Sequence, residues 1–150
     1  MHTNLFTMMN LTRLKLAVLV AVLSVLPQFM QARYKATTVY MFGCVTSFND
    51  STIYFTPVQR IDSAYIDPRS TFLYKRDEYS NQLRSYAEAH IGVAPVCFIE
   101  FSAKEKDINK KLFQLQRRYS RKKDFFIKNI QASDFQFKAV KYDDNVMIVE

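Results

Sequence analysis

Only two glycines, Gly43 and Gly92, occur in the 150 residues, with no tryptophan, two cysteines and two histidines. A phosphate-cradling loop or a dinucleotide fingerprint needs several glycines within a few residues so that backbone amides approach the ligand, so both are excluded. The cysteines, Cys44 and Cys97, form no C-x-x-C pair, and no His and Cys cluster has the spacing of a metal site. No cofactor is expected. The length allows one domain at most.

Acidic residues are also missing from the whole stretch before Asp50. Arg13 and Lys15 there precede the uncharged run Leu16–Leu26, and Pro27 follows it. A basic flank, an apolar core and a helix breaker make a secretory signal peptide, with cleavage placed after Ala32. Eleven uncharged residues fall short of the roughly 20 that cross a bilayer, so no transmembrane span is expected after processing. The expectation is a signal peptide over 1–32 and one domain over 33–150, periplasmic or secreted.

Removing residues 1–32 lowers the basic count from 21 to 19 against an unchanged 14 acidic residues, a net of +5. Between Lys104 and Lys123 stand nine basic and two acidic residues, so the rest of the mature chain is slightly acidic. The charge therefore belongs to one segment, whose densest part is Arg117, Arg118, Arg121, Lys122 and Lys123. An exported protein rarely meets nucleic acid, which leaves anionic glycans, anionic lipid headgroups or an acidic envelope protein as partners for a cationic face.

Thr37–Phe48 is rich in β-branched and aromatic residues and reads as a strand. Asn49 and Asp50 supply a turn, and Ser51–Ile61 returns as a second strand that Pro57 confines to an edge or ends. Asp62–Asp77 reads as a loop. Tyr79, Leu83, Tyr86, Ala87 and His90 share one helical face that ends near Gly92. The apolar run Val96, Cys97, Phe98, Ile99 predicts a strand buried on both faces at the centre of the sheet. Ser102 with Glu105 predicts a capping box, opening a helix whose Ile108, Leu112, Leu115 and Tyr119 form the apolar stripe. Phe125–Ile127 predicts another strand, and Phe135, Phe137 and Ala139, alternating with Gln136, Lys138 and Val140, predict one more with a solvated face, with Val146–Val149 as a further candidate.

The order ββαβαββ predicts an α+β, two-layer sandwich: a mixed sheet of about five strands with two helices on one face. The strand–helix–strand unit from Pro95 to Phe126 should cross over right-handed, with its strands parallel or nearly neighbouring.

Candidate chemistry is sparse. Cys44 and Cys97 lie on predicted strands and would form a disulfide if those strands are neighbours with side chains facing each other; buried free thiols are the alternative. His90, at a helix C-terminus, reads as a surface or capping residue, although a hydrolase using Ser80 or Ser85 remains formally open. Glu100, ending a buried strand, either titrates high or pairs with a lysine. No catalytic residue is assigned. The tyrosines Tyr34, Tyr40, Tyr54, Tyr65, Tyr74, Tyr79 and Tyr86 offer stacking surfaces without naming a site.

Two stretches, YMFGCVTSFNDSTIYFTPVQRID (Tyr40–Asp62) and FLYKRDEYSNQLRSY (Phe72–Tyr86), resemble small exported proteins of Bacteroidales, a family with no established function. The resemblance implies export and supplies no active residues. In that lineage Asp50-Ser51-Thr52 and Asp62-Ser63-Ala64 are similar to an O-glycosylation motif. Val96–Phe137 is similar in order to the SPOR-type peptidoglycan-binding fold, without that fold's second helix, and this keeps glycan binding open. The sequence thus points to an unassigned, non-enzymatic domain for protein or envelope contacts, with anionic glycan or lipid binding through 104–123 as the first alternative and a small hydrolase as the second.

Overall fold

The computed structural model describes residues 34–92 and 94–143. They form β1 (Lys35–Thr46), β2 (Thr52–Phe55), β3 (Gln59–Ile66), α1 (Arg76–His90), β4 (Val96–Ser102), α2 (Glu105–Ser120) and β5 (Phe126–Asn129). The expected signal peptide and Val146–Val149 lie outside the described residues.

β1 is the spine of the sheet. Its residues 40–46 pair antiparallel with β4, while on its other edge β3 pairs with residues 35–41 and β2 with Cys44 and Val45. β5 then adds parallel to β2. The second strand expected over Ser51–Ile61 is therefore two strands, and β3 runs on into the stretch expected to be a loop. Pro57, which has no N–H, stands at the break. Thr56, just before it, keeps the ladder continuous: its N–H donates to the Gly43 carbonyl at 3.0 Å and its Oγ1 accepts from the Gly43 N–H at 2.8 Å.

β4 lies at the margin of the sheet rather than at its centre. A continuous apolar run reads as a central strand, but Val96 and Phe98 are not fully buried, whereas Cys97 and Ile99 are. The unit from Pro95 to Phe126 does bring its strands parallel. β4 is antiparallel to β1, β1 to β2, and β2 is parallel to β5, so β4 and β5 run the same way with two strands between them.

The α+β class, with a mixed five-stranded sheet and two helices, is what forms. The layering comes from β1, whose successive side chains point to opposite faces. Val39, Met41 and Val45 pack with Tyr79, Leu83 and Ala87 of α1. Phe42 and Cys44 pack with Ile108 of α2, beside Leu112, Leu115 and Tyr119. Odd and even residues of one regular strand cannot share a face, so the helices cover opposite faces and the two-layer expectation becomes three layers. At Gly43 an added Cβ would run into Leu83 Cδ2 and lie 3.1 Å from the Phe137 ring, which is how closely α1 and the late chain approach β1.

The strand expected over Phe135–Val140 does not join the sheet. Phe135, Phe137 and Val140 are buried on the α1 face, so the alternation holds as far as Lys138 and then breaks, with Ala139 exposed and Val140 buried, the reverse of the expectation, and side chains satisfy the backbone in place of a neighbouring strand. Gln59 Nε2 donates to the Phe135 carbonyl at 3.1 Å and its Oε1 accepts from the Phe137 N–H at 2.8 Å. The Val140 N–H donates to the Tyr79 hydroxyl at 3.2 Å. The expected capping box is also replaced: α2 begins at Glu105, and Ser102 Oγ instead accepts from the Lys104 N–H at 3.1 Å.

Candidate functional site: the outer edge of β4

The directions of the β4 backbone groups follow from Gly43. Its N–H and C=O both point to Thr56, on the β2–β3 side, so residues 40, 42, 44 and 46 of β1 point theirs toward β4. Their partners there are Ser102, Glu100, Phe98 and Val96. Cys97, Ile99 and Phe101 therefore direct N–H and C=O away from the sheet, along an edge that no strand pairs with among the described residues. Such an edge is a template for another strand.

One side chain already uses it. Arg76 Nη2 donates to the Ile99 carbonyl at 2.7 Å, standing where the N–H of a neighbouring strand would stand, and its guanidinium lies 5.7 Å from the Phe101 ring centroid. A cleft of about 570 Å³ runs along the edge, lined by Phe72, Arg76, Ser80, Arg84, Phe98 and Ile99 among others. A second, of about 500 Å³, shares Arg76 and continues past Phe101 and Ser102 to Lys104. On the α2 side, Phe98 and Glu100 join Lys111 and Arg118 around a smaller cleft. Phe72 is 62% exposed, and Arg84 and Arg118 flank Phe98 from opposite faces. Glu100 accepts from Lys111 Nζ at 3.2 Å, the lysine pairing that was one of its two expected fates.

The five expected anion-binding residues are not gathered at one place. Arg118 faces the β4 side of α2, whereas Arg117 lines a separate cleft with Phe113 and Ile127 on the β5 side. Arg121, Lys122 and Lys123 follow the end of α2, all exposed, and Lys122 Nζ lies 5.7 Å from the Phe125 ring centroid. A helix turns through about 100° per residue, so consecutive arginines diverge by construction.

Cys44 and Cys97 meet one condition for a disulfide and fail the other. Their strands are neighbours, but Cys97 stands opposite Val45 and Cys44 opposite Phe98, so the two thiols point to opposite faces and are free. Burial pushes Cys44 up to about 12, with the proximity of Cys97 adding to it, and burial pushes Cys97 up to about 11. Thiols held neutral in this way are poor nucleophiles.

His90 stacks on Tyr86 with ring centroids 4.5 Å apart, and its Nδ1 lies 2.9 Å from the Tyr86 carbonyl. Ser85 donates to the Asn81 carbonyl, and Ser80 is ten residues from His90, about 15 Å along the helix. The fold brings neither serine to the imidazole. Among the described residues no group of three His, Cys, Asp or Glu side chains converges as a metal site, and no helix is long and apolar enough to cross a membrane. Ser51 and Ser63 of the two glycosylation-like triplets are both exposed, Ser63 with φ of 59° where β3 slips register against β1.

The sequence reading missed two groupings. Tyr34, Tyr65 and Tyr74 gather with Tyr142, with ring centroids as close as 4.7 Å for Tyr65 and Tyr142. Residues distant in sequence meet there, which no local pattern announces. Arg76, Ser80 and Arg84 recur every four residues on α1, a periodicity present in the sequence but attached to no surface until β4 proved to be marginal. No family model matches this chain, and no curated protein or solved structure matches it.

Proposed function

We propose that this chain is an exported, non-enzymatic interaction domain that takes an extended, acidic segment of a partner protein onto the outer edge of β4. The observation that carries the reading is the outward direction of the Cys97, Ile99 and Phe101 backbone beside Arg76 and Arg84. Main-chain pairing supplies affinity in such strand addition, and side-chain pockets supply selectivity. Phe72, Phe98 and the two arginines suit a strand that alternates aliphatic with acidic residues. The test is titration of the protein with a fluorescein-labelled octapeptide alternating aspartate with valine, against one carrying lysine for aspartate. Saturable binding of the acidic peptide is expected, with amide shifts at Cys97, Ile99 and Phe101. No binding, or equal binding of both peptides, overturns it.

A second reading is favoured by one observation: among the described residues no ion pair engages Arg117, Arg118, Arg121, Lys122 or Lys123. Cations without partners suit an anionic glycan or lipid headgroup. In the same titration, heparin fragments shifting residues 121–123 and leaving β4 untouched would favour this reading over the first.

A further inference from the structure

Arg76 and Arg84 stand two turns apart on α1, about 12 Å at roughly 1.5 Å per residue. Arg76 reaches the C-terminal half of β4, where it bonds the Ile99 carbonyl and lies over the Phe101 ring. Arg84 lies toward the start of that strand: burial raises the Cys97 thiol, and Arg84 is close enough to pull against that rise. α1 therefore runs antiparallel to β4, with Ser80 between the two arginines, and all three line the same cleft. Both arginines are exposed, and among the described residues no ion pair engages either. Lys75, in the same cleft, is already held by Asp143 and Glu78.

The helical spacing matches one strand spacing and not another. Four residues of an added strand span about 13 Å, and two span about 7 Å. Side chains two and four residues apart share a face, so a strand with carboxylates four apart presents both to α1, one at Arg76 and one at Arg84. Carboxylates two apart share the face and fall about 5 Å short of the pair. The alternate positions of the added strand face the α2 side, where Phe98 gives an aliphatic side chain apolar surface to cover.

Arg76 also obstructs the edge, because its Nη2 occupies the Ile99 carbonyl that a neighbouring strand would use. A neutral strand has to replace this charge-assisted bond with an ordinary amide bond and leaves the guanidinium without an acceptor. A strand bearing a carboxylate at that point gives the guanidinium a bidentate partner while its own backbone N–H takes the Ile99 carbonyl. We propose that Arg76 is the gate and the selectivity residue of this edge: it closes the Ile99 carbonyl to neutral strands, opens for an acidic one, and with Arg84 selects a partner segment carrying two carboxylates four residues apart. This rests on the reading that the edge accepts an extended strand.

The test uses three fluorescein-labelled octapeptides with valine at every even position. The odd positions are all threonine in the first; aspartate replaces the third and seventh in the second, and the third and fifth in the third, so the two acidic peptides are isomers. Kd is measured for the unaltered protein, Arg76→Ala and Arg84→Ala, both substitutions falling on exposed helical positions. The unaltered protein should bind the isomer with aspartates four apart about tenfold more tightly than the other, and the threonine peptide most weakly. Arg76→Ala should bind the threonine peptide about tenfold more tightly than the unaltered protein does, because its acceptor is always open, and should not distinguish the isomers. Arg84→Ala should also lose the distinction between isomers, yet keep the threonine peptide weak, because the gate remains. Isomers that bind the unaltered protein alike overturn the spacing, and a threonine peptide that gains nothing from Arg76→Ala overturns the gate; either result leaves strand addition standing. Binding of no peptide to any of the three proteins overturns strand addition itself.

Discussion

The side-chain amide of Gln82 grips the backbone of Lys138 on both of its polar groups: Nε2 donates to the Lys138 carbonyl at 3.0 Å and Oε1 accepts from its N–H at 2.8 Å. Gln59 does the same across Phe135 and Phe137. Two glutamines thus stand in for the strand that residues 135–140 lack, holding Phe135, Phe137 and Val140 against the α1 face of the sheet.

Gln59→Ala should therefore cost more than Gln82→Ala, because its bonds are partly buried and those of Gln82 are exposed. Each net hydrogen bond contributes about 1 kcal/mol, less where water competes, so losses of roughly 2 and 1 kcal/mol are expected by urea unfolding. Amide exchange should quicken first at Phe137 in the Gln59 variant and at Lys138 in the Gln82 variant. Unchanged exchange at these amides would show that the aromatic side chains alone hold the segment.

Gly43→Ala places a methyl group against the fully buried side chain of Leu83. Overpacking of this kind costs about 1–3 kcal/mol. Leu83→Ala alone opens a cavity and costs about 2–5 kcal/mol. The double variant should be more stable than the sum of the two losses implies, since the new methyl fills part of the space that Leu83 vacates. Strict additivity in a double-mutant cycle would contradict the packing of α1 on the odd-numbered face of β1.

The two cysteines should remain thiols even in an oxidising compartment. The folded protein should fail to react with a thiol reagent at pH 8 and titrate two thiols when unfolded, with no mass loss of two hydrogens under non-reducing conditions. Both thiols are raised in the fold, so the neutral forms stabilise it fully below the ordinary thiol value of about 8.5. That contribution is lost as pH rises from there toward about 11 and 12, the values for Cys97 and Cys44. Replacing both with Ala should flatten the alkaline loss of stability over this range. An intact-protein mass showing a disulfide would contradict the register of β1 against β4.

How much of this was legible beforehand depended on whether the signal was local. α1 was readable because Tyr79, Leu83 and Ala87 recur on one helical face and all three are buried. The limits of β4 were readable, but its place was not: Val96–Ile99 looks like a central strand, and only long-range pairing decides that β1 takes the centre. Phe135 and Phe137 were correctly seen on one face, but Ala139 and Val140 exchange the places expected of them, and the pairing expected of the segment is made by Gln59, 76 residues earlier in the chain. Opposed helices were hidden for the same reason. Two amphipathic helices each need a face, and which face each takes is written in the odd and even residues of β1. For the site, Arg76 and Arg84 were visible as charges and Phe98 as a hydrophobe, and the edge that unites them exists only in the folded sheet.

Lys75 holds the Asp143 carboxyl below the usual carboxylate range, mainly through their hydrogen bond. A depressed carboxyl stabilises its contact fully above the ordinary value of about 3.9, and the contact is lost as pH falls through the lower native value. Ring resonances of Tyr74 and Tyr142, next to this pair, should therefore change only below about pH 4. Lys75→Met should move the transition up to the ordinary range. A transition centred near neutrality would contradict the pairing.

The outer edge of β4 is tested most directly by amide exchange at Cys97, Ile99 and Phe101, with Phe98 and Glu100, bonded inward to β1, as internal references. In the free protein the three outward amides should exchange faster than the two inward ones. Added aspartate–valine peptide should protect the three outward amides. Outward amides that stay unprotected with peptide present would contradict strand addition at this edge.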